Sequence, residues 1–338
     1  MGAILKHIDY IFPENGYTNE ELSLKFPNYD FSKFDTKVGI KKRYWVDENT
    51  TALDLAEQAC EKLFQKVDRN EIDFVVYCTQ SPEYILPTTA CLLQERLGLK
   101  TSIGSFDFNL GCSGYIYGLS MAKGLIETKQ AKNVLLVTAE TYSKYLNEND
   151  MSNRGIFGDA ATASLISLGS SENTIKKFLF GTDGKGYNKL IVRNGATRNP
   201  LEENATEKIY GSGNTYTDNN LYMDGPAIFN FTSEVIPPFT NELLAENNLS
   251  IEECDLFIFH QANKFMLDFL RKKNKINKDK FYIDLEEGGN TVSSTIPIAL
   301  KRWSDSYEGE FPIKNIALVG FGVGLSWAGT IITLENKL

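Results

Sequence analysis

Cys112 lies in the segment Asn-Leu-Gly-Cys-Ser-Gly at 109–114, between an apolar run that ends near Phe108 and a helical pattern that begins near Ser113. The glycines on either side of the cysteine permit a tight turn from strand to helix. The N-terminus of a helix favours a thiolate and so lowers the pKa of a cysteine placed there. We therefore predict that Cys112 is a nucleophile; the alternative is a small buried hydrophobic side chain, which is common for free cysteine.

Histidine is scarce, because the chain contains only His7 and His260. His260 ends the apolar run Leu-Phe-Ile-Phe and begins the segment His-Gln-Ala-Asn. A single histidine beside a strand is commonly structural, but an imidazole can also exchange protons near neutral pH. Asn290, in the segment Gly-Gly-Asn-Thr, is by itself a typical turn residue. Chemistry at either position depends on where the fold places it.

A glycine-rich segment, Gly-Phe-Gly-Val-Gly-Leu-Ser-Trp-Ala-Gly, occupies residues 320–329. Its spacing does not satisfy the G-x-G-x-x-G pattern of a dinucleotide site, and a β-type run follows it instead of a helix. Close-packed glycines after a strand are suited to aiming backbone N–H groups at an oxyanion. We therefore predict that this segment supplies hydrogen-bond donors to a reacting group.

The elements that position these residues alternate between apolar runs and helical patterns, which is typical of an α/β protein. The chain also repeats itself. Residues 72–77 (Ile-Asp-Phe-Val-Val-Tyr) match 254–259 (Cys-Asp-Leu-Phe-Ile-Phe), and 132–137 (Lys-Asn-Val-Leu-Leu-Val) match 314–319 (Lys-Asn-Ile-Ala-Leu-Val), both at an offset of 182 residues. Buried strands resemble one another in Val and Ile content, but that does not account for the shared Asp and Lys-Asn positions. A duplication is therefore predicted.

The duplication predicts two halves, 1–170 and 171–338, with one pocket between them. Ligands of α/β sheets bind beyond the carboxyl ends of the strands. Cys112, His260 and Asn290 each follow a strand at that end, and Cys112 and Asn290 occupy matching positions in the two halves. We therefore expect the three side chains to converge.

Composition limits the kinds of function available to the chain. Its 338 residues, 42% of them hydrophobic, are enough for a large core, while a net charge of −9 argues against a general nucleic-acid binder. No window approaches 18 apolar residues, so we expect no membrane span and a cytoplasmic location. The five cysteines show no CxxC or Cys/His cluster spacing, so neither a disulfide framework nor a metal site is predicted.

Four motifs in this order resemble those of the thiolase superfamily, and most closely those of β-ketoacyl-acyl-carrier-protein synthase III. They are Asn-Leu-Gly-Cys112-Ser-Gly, His260-Gln-Ala-Asn263, Gly-Gly-Asn290-Thr and Gly-Phe-Gly-Val-Gly324-Leu-Ser-Trp. The resemblance covers nearly the whole chain. It implies a five-layered αβαβα fold, a homodimer and a Cys-His-Asn catalytic triad.

The resemblance also implies a reaction in two halves. Cys112 would take an acyl group from an acyl thioester, and a malonyl group on an acyl carrier protein would then lose CO₂ and attack that acyl group. His260 and Asn290 would bind the malonyl thioester oxygen, while the N–H groups of Cys112 and Gly324 would form the oxyanion hole. No metal or redox cofactor is implied.

Further residues are assigned by the same resemblance to substrate binding. The substrate channel would be lined by Arg154, Gly225, Phe229 and Asn263. The acyl pocket would include Phe157, and Leu86 would close the acyl pocket of the partner subunit. In the family, a tryptophan ring stacks on the adenine of CoA, and the position of that tryptophan falls near Lys33 in this chain. Acyl-CoA and acyl carrier protein therefore both remain open as the acyl donor.

A basic segment follows the histidine motif. Residues 264–280 contain seven Lys and Arg against two Asp, a local charge of +5 in an otherwise acidic chain. Lys264, Arg271, Lys272 and Lys273 are predicted to dock an acidic acyl carrier protein. The alternative is a solvated helix end whose cations only favour the helix dipole.

Two other functions fit the same residues. One is a non-condensing acyltransferase that passes the acyl group from Cys112 to a hydroxyl or an amine, although the presence of Asn290 counts against it. The other is a catalytically silent partner subunit, which would not need an intact Cys112, His260 and Asn290. Acyl chain length and pathway, whether fatty acid, polyketide or surface-glycan modification, remain open.

Overall fold

Two five-stranded sheets and the helices packed on them make up most of the protein. The computed structural model describes residues 2–27, 29–31, 34–169, 174–211, 213–308, 314–334 and 336–338. The strands of this part are β1 (Ala3–Ile11), β2 (Gly16–Thr18), β3 (Lys42–Tyr44), β4 (Phe74–Cys78), β5 (Gly104–Phe108), β6 (Asn133–Glu140), β7 (Ala160–Leu168), β8 (Ile175–Thr182), β9 (Leu190–Val192), β10 (Lys208–Tyr210), β11 (Asn214–Tyr216), β12 (Leu221–Met223), β13 (Leu256–Phe259), β14 (Phe281–Tyr282), β15 (Glu287–Gly288), β16 (Lys314–Gly322) and β17 (Ser326–Leu334). The helices are α1 (Asn19–Lys25), α2 (Phe34–Lys37), α3 (Ala52–Leu63), α4 (Thr89–Arg96), α5 (Gly114–Glu127), α6 (Met151–Ile156), α7 (Gly225–Glu246), α8 (Lys264–Lys273) and α9 (Thr295–Asp305).

The two sheets have the same topology. The first has the order β1-β7-β6-β4-β5 and the second has the order β8-β17-β16-β13-β14. In each sheet the first two pairings are antiparallel and the last two are parallel. The same arrangement therefore occurs twice along the chain, which confirms the prediction of a duplicated fold.

The side chains shared by the two repeats make equivalent hydrogen bonds. The Asp73 carboxylate accepts from the backbone N–H of Asn133 at 3.0 Å, and the Asp255 carboxylate accepts from that of Asn315 at 2.9 Å. Each bond joins the loop before one parallel strand to the start of its neighbour. The division proposed between 1–170 and 171–338 falls on residues outside the described ranges, so it stays a prediction.

Strand periodicity distributes the core over separate layers. On β6, Leu135 and Val137 pack toward α3 and α4, whereas Val134 and Leu136 pack toward α5 and α9. Strand β16 alternates in the same way between the α5 and α9 side and the side covered by α7 and α8. Because alternate residues of a strand point to opposite faces, helices cover both faces of both sheets. The result is the five-layered αβαβα fold that the resemblance implied.

The central helix layer brings the predicted site residues together. Helix α5 begins two residues after Cys112, and α9 begins five residues after Asn290. His260 follows β13, whose neighbour β16 contacts α5. Each of the duplicated halves therefore places the N-terminus of one central helix close to the predicted site.

None of the helices in the described ranges is both long and apolar enough to cross a membrane. The cytoplasmic location stays a prediction from the sequence.

Candidate active site

Cys112, His260 and Asn290 open into one cavity of about 420 Å³. Its wall is formed largely by apolar side chains, and none of the described residues that line it carries a charge. The lining residues that are not apolar are Cys112, Tyr142, Gly225, Asn230, His260, Asn263, Asn290 and Gly322. The structure therefore places the three predicted catalytic side chains at a single, largely apolar surface.

Cys112 lies in the turn between β5 and α5 and is 7% exposed. Gly322 faces the sulfur so closely that a Cβ added there would lie 2.8 Å from Sγ. Burial, together with the nearby Glu140 carboxylate, raises the pKa of the Cys112 thiol to about 12. Desolvation of the thiolate therefore outweighs the lowering of this pKa that is expected from the helix N-terminus.

The backbone N–H groups that reach the Cys112 sulfur are those of Cys112 itself and Val323, and both lower the pKa of the thiol against the effect of burial. The predicted oxyanion hole is a different point, at which the N–H groups of Cys112 and Gly324 would bind the oxygen of the acyl group, and it stays a prediction. Gly322, the residue before Val323, packs directly on Sγ. Gly324, with φ +134°, lies one residue farther along the same turn.

His260 is 2% exposed and lies at the carboxyl end of β13. Its backbone N–H donates to Val319 O at 2.8 Å, and its Nδ1 lies 2.7 Å from the hydroxyl of Thr295. Burial lowers the pKa of His260 to about 3. The imidazole is therefore neutral at physiological pH, and only one of its two nitrogens carries a proton.

Backbone bonds hold Asn290 on both sides. Its N–H donates to Ile156 O at 2.9 Å, and its carbonyl accepts from Gly158 N–H at 3.1 Å. The side-chain oxygen accepts from Val292 N–H at 2.9 Å, so the amide NH₂ is left to face the cavity. Val292 has φ +57°, a conformation that a β-branched residue adopts only under strain. Asn290 is thereby presented as a hydrogen-bond donor.

Four of the residues assigned to substrate binding line the cavity, namely Gly225, Phe229, Asn263 and Phe157. Gly225 begins α7, and Asn263 caps the N-terminus of α8 by accepting from Met266 N–H at 2.9 Å. The ring of Phe229 packs against that of Phe265, which is 62% exposed at the cavity opening.

Arg154 and Leu86 do not line this cavity. The Arg154 guanidinium lies over the Trp45 ring at 5.2 Å and donates to the carbonyl of Asn147 at 2.8 Å. Its predicted place in the substrate channel stays a prediction. Leu86 is 80% exposed. Its predicted place in the pocket of a partner subunit stays a prediction. Lys33 lies outside the described residues.

The basic segment includes α8 and the turns that follow it. Lys264 forms an ion pair with Asp268, and Arg271 donates to Ile276 O at 3.2 Å. Lys272 and Lys273 are exposed, and within the described ranges neither forms an ion pair. These two ammonium groups are therefore free to meet a partner.

Sequence reasoning missed Glu140, which is fully buried at the end of β6. Its carboxylate accepts from Gln80 N–H at 3.0 Å, the Ser81 hydroxyl at 3.1 Å and the Ser293 hydroxyl at 2.9 Å. Burial raises the pKa of Glu140 to about 8. The signal in the sequence is a single acidic residue that ends an otherwise apolar strand. Ser293 belongs to the segment after Asn290, so Glu140 ties that segment to the first sheet.

The fold and the cysteine-histidine-asparagine cavity define a thiolase-like acyltransferase of the condensing class. The family model for 3-oxoacyl-[acyl-carrier-protein] synthase III matches residues 106–184, and the model for its C-terminal part matches 244–334. A β-ketoacyl-[acyl-carrier-protein] synthase III of Clostridium perfringens is 34% identical over 326 residues, covering 95% of this chain and 96% of the relative. A synthase of the same name from Lactococcus lactis is 32% identical over 339 residues, covering 98% and 99%.

Solved structures agree with these sequence relatives. A crystal structure of a 3-oxoacyl-(acyl-carrier-protein) synthase III is 45% identical with a TM-score of 0.95, covering 99% of this chain and 100% of the other. The synthase III of Thermus thermophilus is 30% identical with a TM-score of 0.85, covering 98% and 99%. The chain belongs to the β-ketoacyl-acyl-carrier-protein synthase III family, which confirms the resemblance found in the sequence.

Proposed function

We propose that the chain condenses an acyl group with a malonyl group held on an acyl carrier protein, in two half-reactions at Cys112. The observation that carries the proposal is the meeting of Cys112, His260 and Asn290 in one uncharged cavity. A nucleophile and two hydrogen-bond donors at one point are what the two half-reactions need.

In the first half-reaction, the Cys112 sulfur attacks the carbonyl carbon of an acyl thioester. The new C–S bond forms first and gives a tetrahedral intermediate. The bond to the carrier sulfur breaks when this intermediate collapses, and the proton of the Cys112 thiol leaves on the carrier thiol. We propose that the backbone N–H groups of Cys112 and Gly324 stabilise the negative charge on the tetrahedral intermediate. We propose that no metal or redox cofactor takes part.

In the second half-reaction, the malonyl thioester loses CO₂, and the electron pair of the broken C–C bond forms an enolate. Its oxygen accepts hydrogen bonds from His260 and Asn290, and its carbon attacks the acyl carbonyl. Cys112 leaves as a thiolate that takes a proton from solvent. An uncharged apolar wall destabilises the malonyl carboxylate. The negative charge passes to the enolate oxygen, which the hydrogen bonds from His260 and Asn290 stabilise.

The cavity wall supports a thioester donor with a pantetheine arm. Gly225 leaves room at the start of α7, and Phe229 and Asn263 offer an apolar face and an amide beside it. CoA and acyl carrier protein both supply such an arm. We propose both as donors, because nothing in the cavity wall selects between them.

We propose that the carrier protein docks on the exposed end of α8. Phe265 at the cavity opening and Lys272 near the end of α8 are seven residues apart, which is about 10 Å along a helix axis. A carrier bound through Lys272 and Lys273 would thus rest beside the opening. The free ammonium groups of these two residues support this placement.

We propose that the protein functions as a homodimer. Strand β5 is an edge of the first sheet. The N–H of Ala90 in α4 donates to the Asp107 carboxylate of this strand at 3.0 Å, so α4 lies beside the edge. The loop before α4 exposes Ile85 by 87% and Leu86 by 80%. An open strand edge next to exposed apolar side chains is a typical surface for self-association.

The experiment that tests the proposed function is acylation followed by intact-mass measurement. The protein is incubated with a panel of acyl-CoAs and acyl carrier proteins, with Cys112→Ser as the test variant and Cys91→Ser, at an exposed cysteine, as the matched control. We expect one acyl mass on the wild type and on Cys91→Ser, and none on Cys112→Ser. Acylation that persists in Cys112→Ser would refute the proposed nucleophile.

A further inference from the structure

Two side chains near the carboxyl end of β6 hold the segment that follows Asn290. Thr138 and Glu140 are fully buried and, two positions apart on one strand, point to the same face of the sheet. The Ser293 hydroxyl is bonded to the Glu140 carboxylate at 2.9 Å, and the Ser294 hydroxyl oxygen lies 2.8 Å from that of Thr138. Two consecutive serines are thus attached to one strand of the first sheet.

The turn at residues 292–294, to which these serines belong, contains a strained residue. Val292 has φ +57°, and such a backbone conformation of a β-branched residue persists only where its surroundings fix it. The N–H of Val292 donates to the Asn290 side-chain oxygen at 2.9 Å and so leaves the Asn290 NH₂ toward the cavity. A turn that relaxed would free the Asn290 side chain to rotate.

Glu140 can hold Ser293 whether or not it is ionised. Burial raises the pKa of Glu140 to about 8, so both forms are accessible near neutral pH. The carboxylate accepts a hydrogen bond from the Ser293 hydroxyl, and the carboxylic acid can donate one to it, because a hydroxyl serves as donor or as acceptor. The attachment of the turn therefore depends on the bond and not on the charge.

We propose that Thr138 and Glu140 are positioning residues that hold the 292–294 turn in its strained form and thereby keep the Asn290 NH₂ directed at the substrate oxygen. Neither is among the described residues that line the cavity, so both act through the turn. The inference rests on the proposed function for the role of Asn290 in the second half-reaction. The first half-reaction, at Cys112, does not need the Asn290 amide, so loss of the attachment should affect the two half-reactions differently.

The kinetic test removes the two serine hydroxyls and leaves both β6 residues in place. In Ser293→Ala/Ser294→Ala we expect release of CO₂ from malonyl-carrier to fall by roughly 10- to 100-fold, as is typical of a misplaced group. Acylation of Cys112 should remain as in the wild type. The matched control is Ser164→Ala/Ser167→Ala, which removes two buried serine hydroxyls from β7. It should retain both activities.

A second variant, Glu140→Gln, separates the bond from the charge. The new amide keeps an oxygen for the Gln80 N–H and the Ser81 hydroxyl, and its NH₂ can donate to the Ser293 hydroxyl oxygen. We therefore expect CO₂ release close to the wild-type rate. A loss as large as that in the serine double variant would overturn the proposal, because the charge and not the attachment would then matter.

Hydrogen exchange examines the turn without turnover. In protein labelled with ¹⁵N-valine, the Val292 amide is assigned by its loss in Val292→Ile. Because its bond to the Asn290 oxygen protects it, we expect this amide to exchange faster in Ser293→Ala/Ser294→Ala than in the wild type. Exchange at the wild-type rate in this variant would overturn the proposal.

A double-mutant cycle connects the turn to Asn290. If the serines act through Asn290, their replacement should cause no further loss of CO₂ release in an Asn290→Ala background, since changes that act through one interaction are not additive. Additive losses would contradict the proposal. Faster exchange at Val292 in the serine variant, together with a wild type that releases no CO₂, would contradict the proposed function and leave the positioning of the turn intact.

Discussion

At the scale of single residues, burial determines the charge state of the site. It raises the pKa of Cys112 to about 12 and lowers that of His260 to about 3. Both side chains are therefore neutral near pH 7 before substrate binds. A neutral site is suited to thioesters, since a thiolate-imidazolium pair would have to be solvated in a largely apolar cavity.

The low pKa of His260 leads to a direct test by titration. An ordinary histidine gains its proton as the pH falls through about 6.5. Desolvation disfavours the charged form of His260, so protonation is displaced to a pH near 3. We expect its imidazole resonances to remain at their neutral positions from pH 8 to pH 5. A midpoint near 6.5 would show that His260 is more solvated than the structure indicates.

Gly322 is predicted to be essential for the reactivity of Cys112. An alanine Cβ at this position would lie 2.8 Å from Sγ and displace it from the Val323 amide. Such a misplacement typically costs roughly 10² in rate, which we expect to see in the rate of Cys112 acylation by Gly322→Ala.

The control for this variant is Gly124→Ala in α5, where a Cβ meets nothing within 4 Å. It should acylate at the wild-type rate and be slightly more stable, because alanine is the better helix former. Equal acylation rates in Gly322→Ala and the wild type would contradict the close packing at Sγ.

The sequence was informative about side chains whose type is itself unusual. Cys112 between glycines and His260 as one of two histidines could both be selected before the fold was known. The backbone donor to the Cys112 sulfur could not, because every residue except proline has a backbone N–H and only the geometry of the turn directs that of Val323 to the sulfur.

At the scale of elements, α8 joins the cavity to a cationic surface. Its first turn lines the cavity through Phe265 and Met266, and its last turn exposes Lys272 and Lys273. One helix thus links the cavity opening with the surface proposed for carrier docking.

Charge reversal at the end of α8 tests carrier docking. We expect Lys272→Glu/Lys273→Glu to raise the KM for malonyl-carrier by about tenfold at low salt, and the effect to fade as salt screens the charges. Acylation from a small acyl-CoA should be unchanged, since the cavity itself is untouched.

The matched control is Lys129→Glu/Lys132→Glu, two exposed lysines beyond the far end of α5. It makes the same change in net charge without touching α8. A similar rise in KM in both double variants would contradict carrier docking at α8 and show that the basic segment is only a solvated helix end.

Strands and helices were predictable at this scale because buried parallel strands are continuous apolar runs. Side-chain direction was not. Arg154 occupies a position assigned to the channel, yet its guanidinium stacks on Trp45, a residue 109 positions earlier in the chain. Only packing between distant segments decides such an orientation.

At the scale of the whole molecule, duplication explains why the site lies where it does. Each half contributes one sheet with the same strand order, and each places one central helix directly after a site residue. The repeat at an offset of 182 residues was enough to predict this arrangement. It could not predict how deeply the site is buried, because that depends on loops and helices that the repeat does not share.

The proposed dimer is tested by sedimentation of the wild type, which should have twice the mass of the single chain. Ile85→Asp/Leu86→Asp should weaken association at least about tenfold, since each apolar side chain buried at an interface contributes roughly 1.5 to 3 kcal/mol. Leu24→Asp, at a leucine that is 84% exposed in α1, is the control. Identical masses for all three proteins would place the interface elsewhere.

The central claim is that Cys112 performs the first half-reaction and that His260 and Asn290 serve the second. The variant Asn290→Ala separates the two, because it removes an amide donor from the cavity and leaves the cysteine in place. Asn230→Ala is the matched control, since Asn230 also lines the cavity but is exposed.

The decisive measurement combines intact-mass acylation with CO₂ release from malonyl-carrier in the wild type, Asn290→Ala and Asn230→Ala. We predict that Asn290→Ala acquires one acyl group as the wild type does, while its release of CO₂ falls by roughly 10² to 10³ for the loss of an oxyanion-type donor. Asn230→Ala should retain both activities. Wild-type CO₂ release by Asn290→Ala would contradict the assignment of Asn290 to the malonyl thioester and favour acyl transfer without condensation.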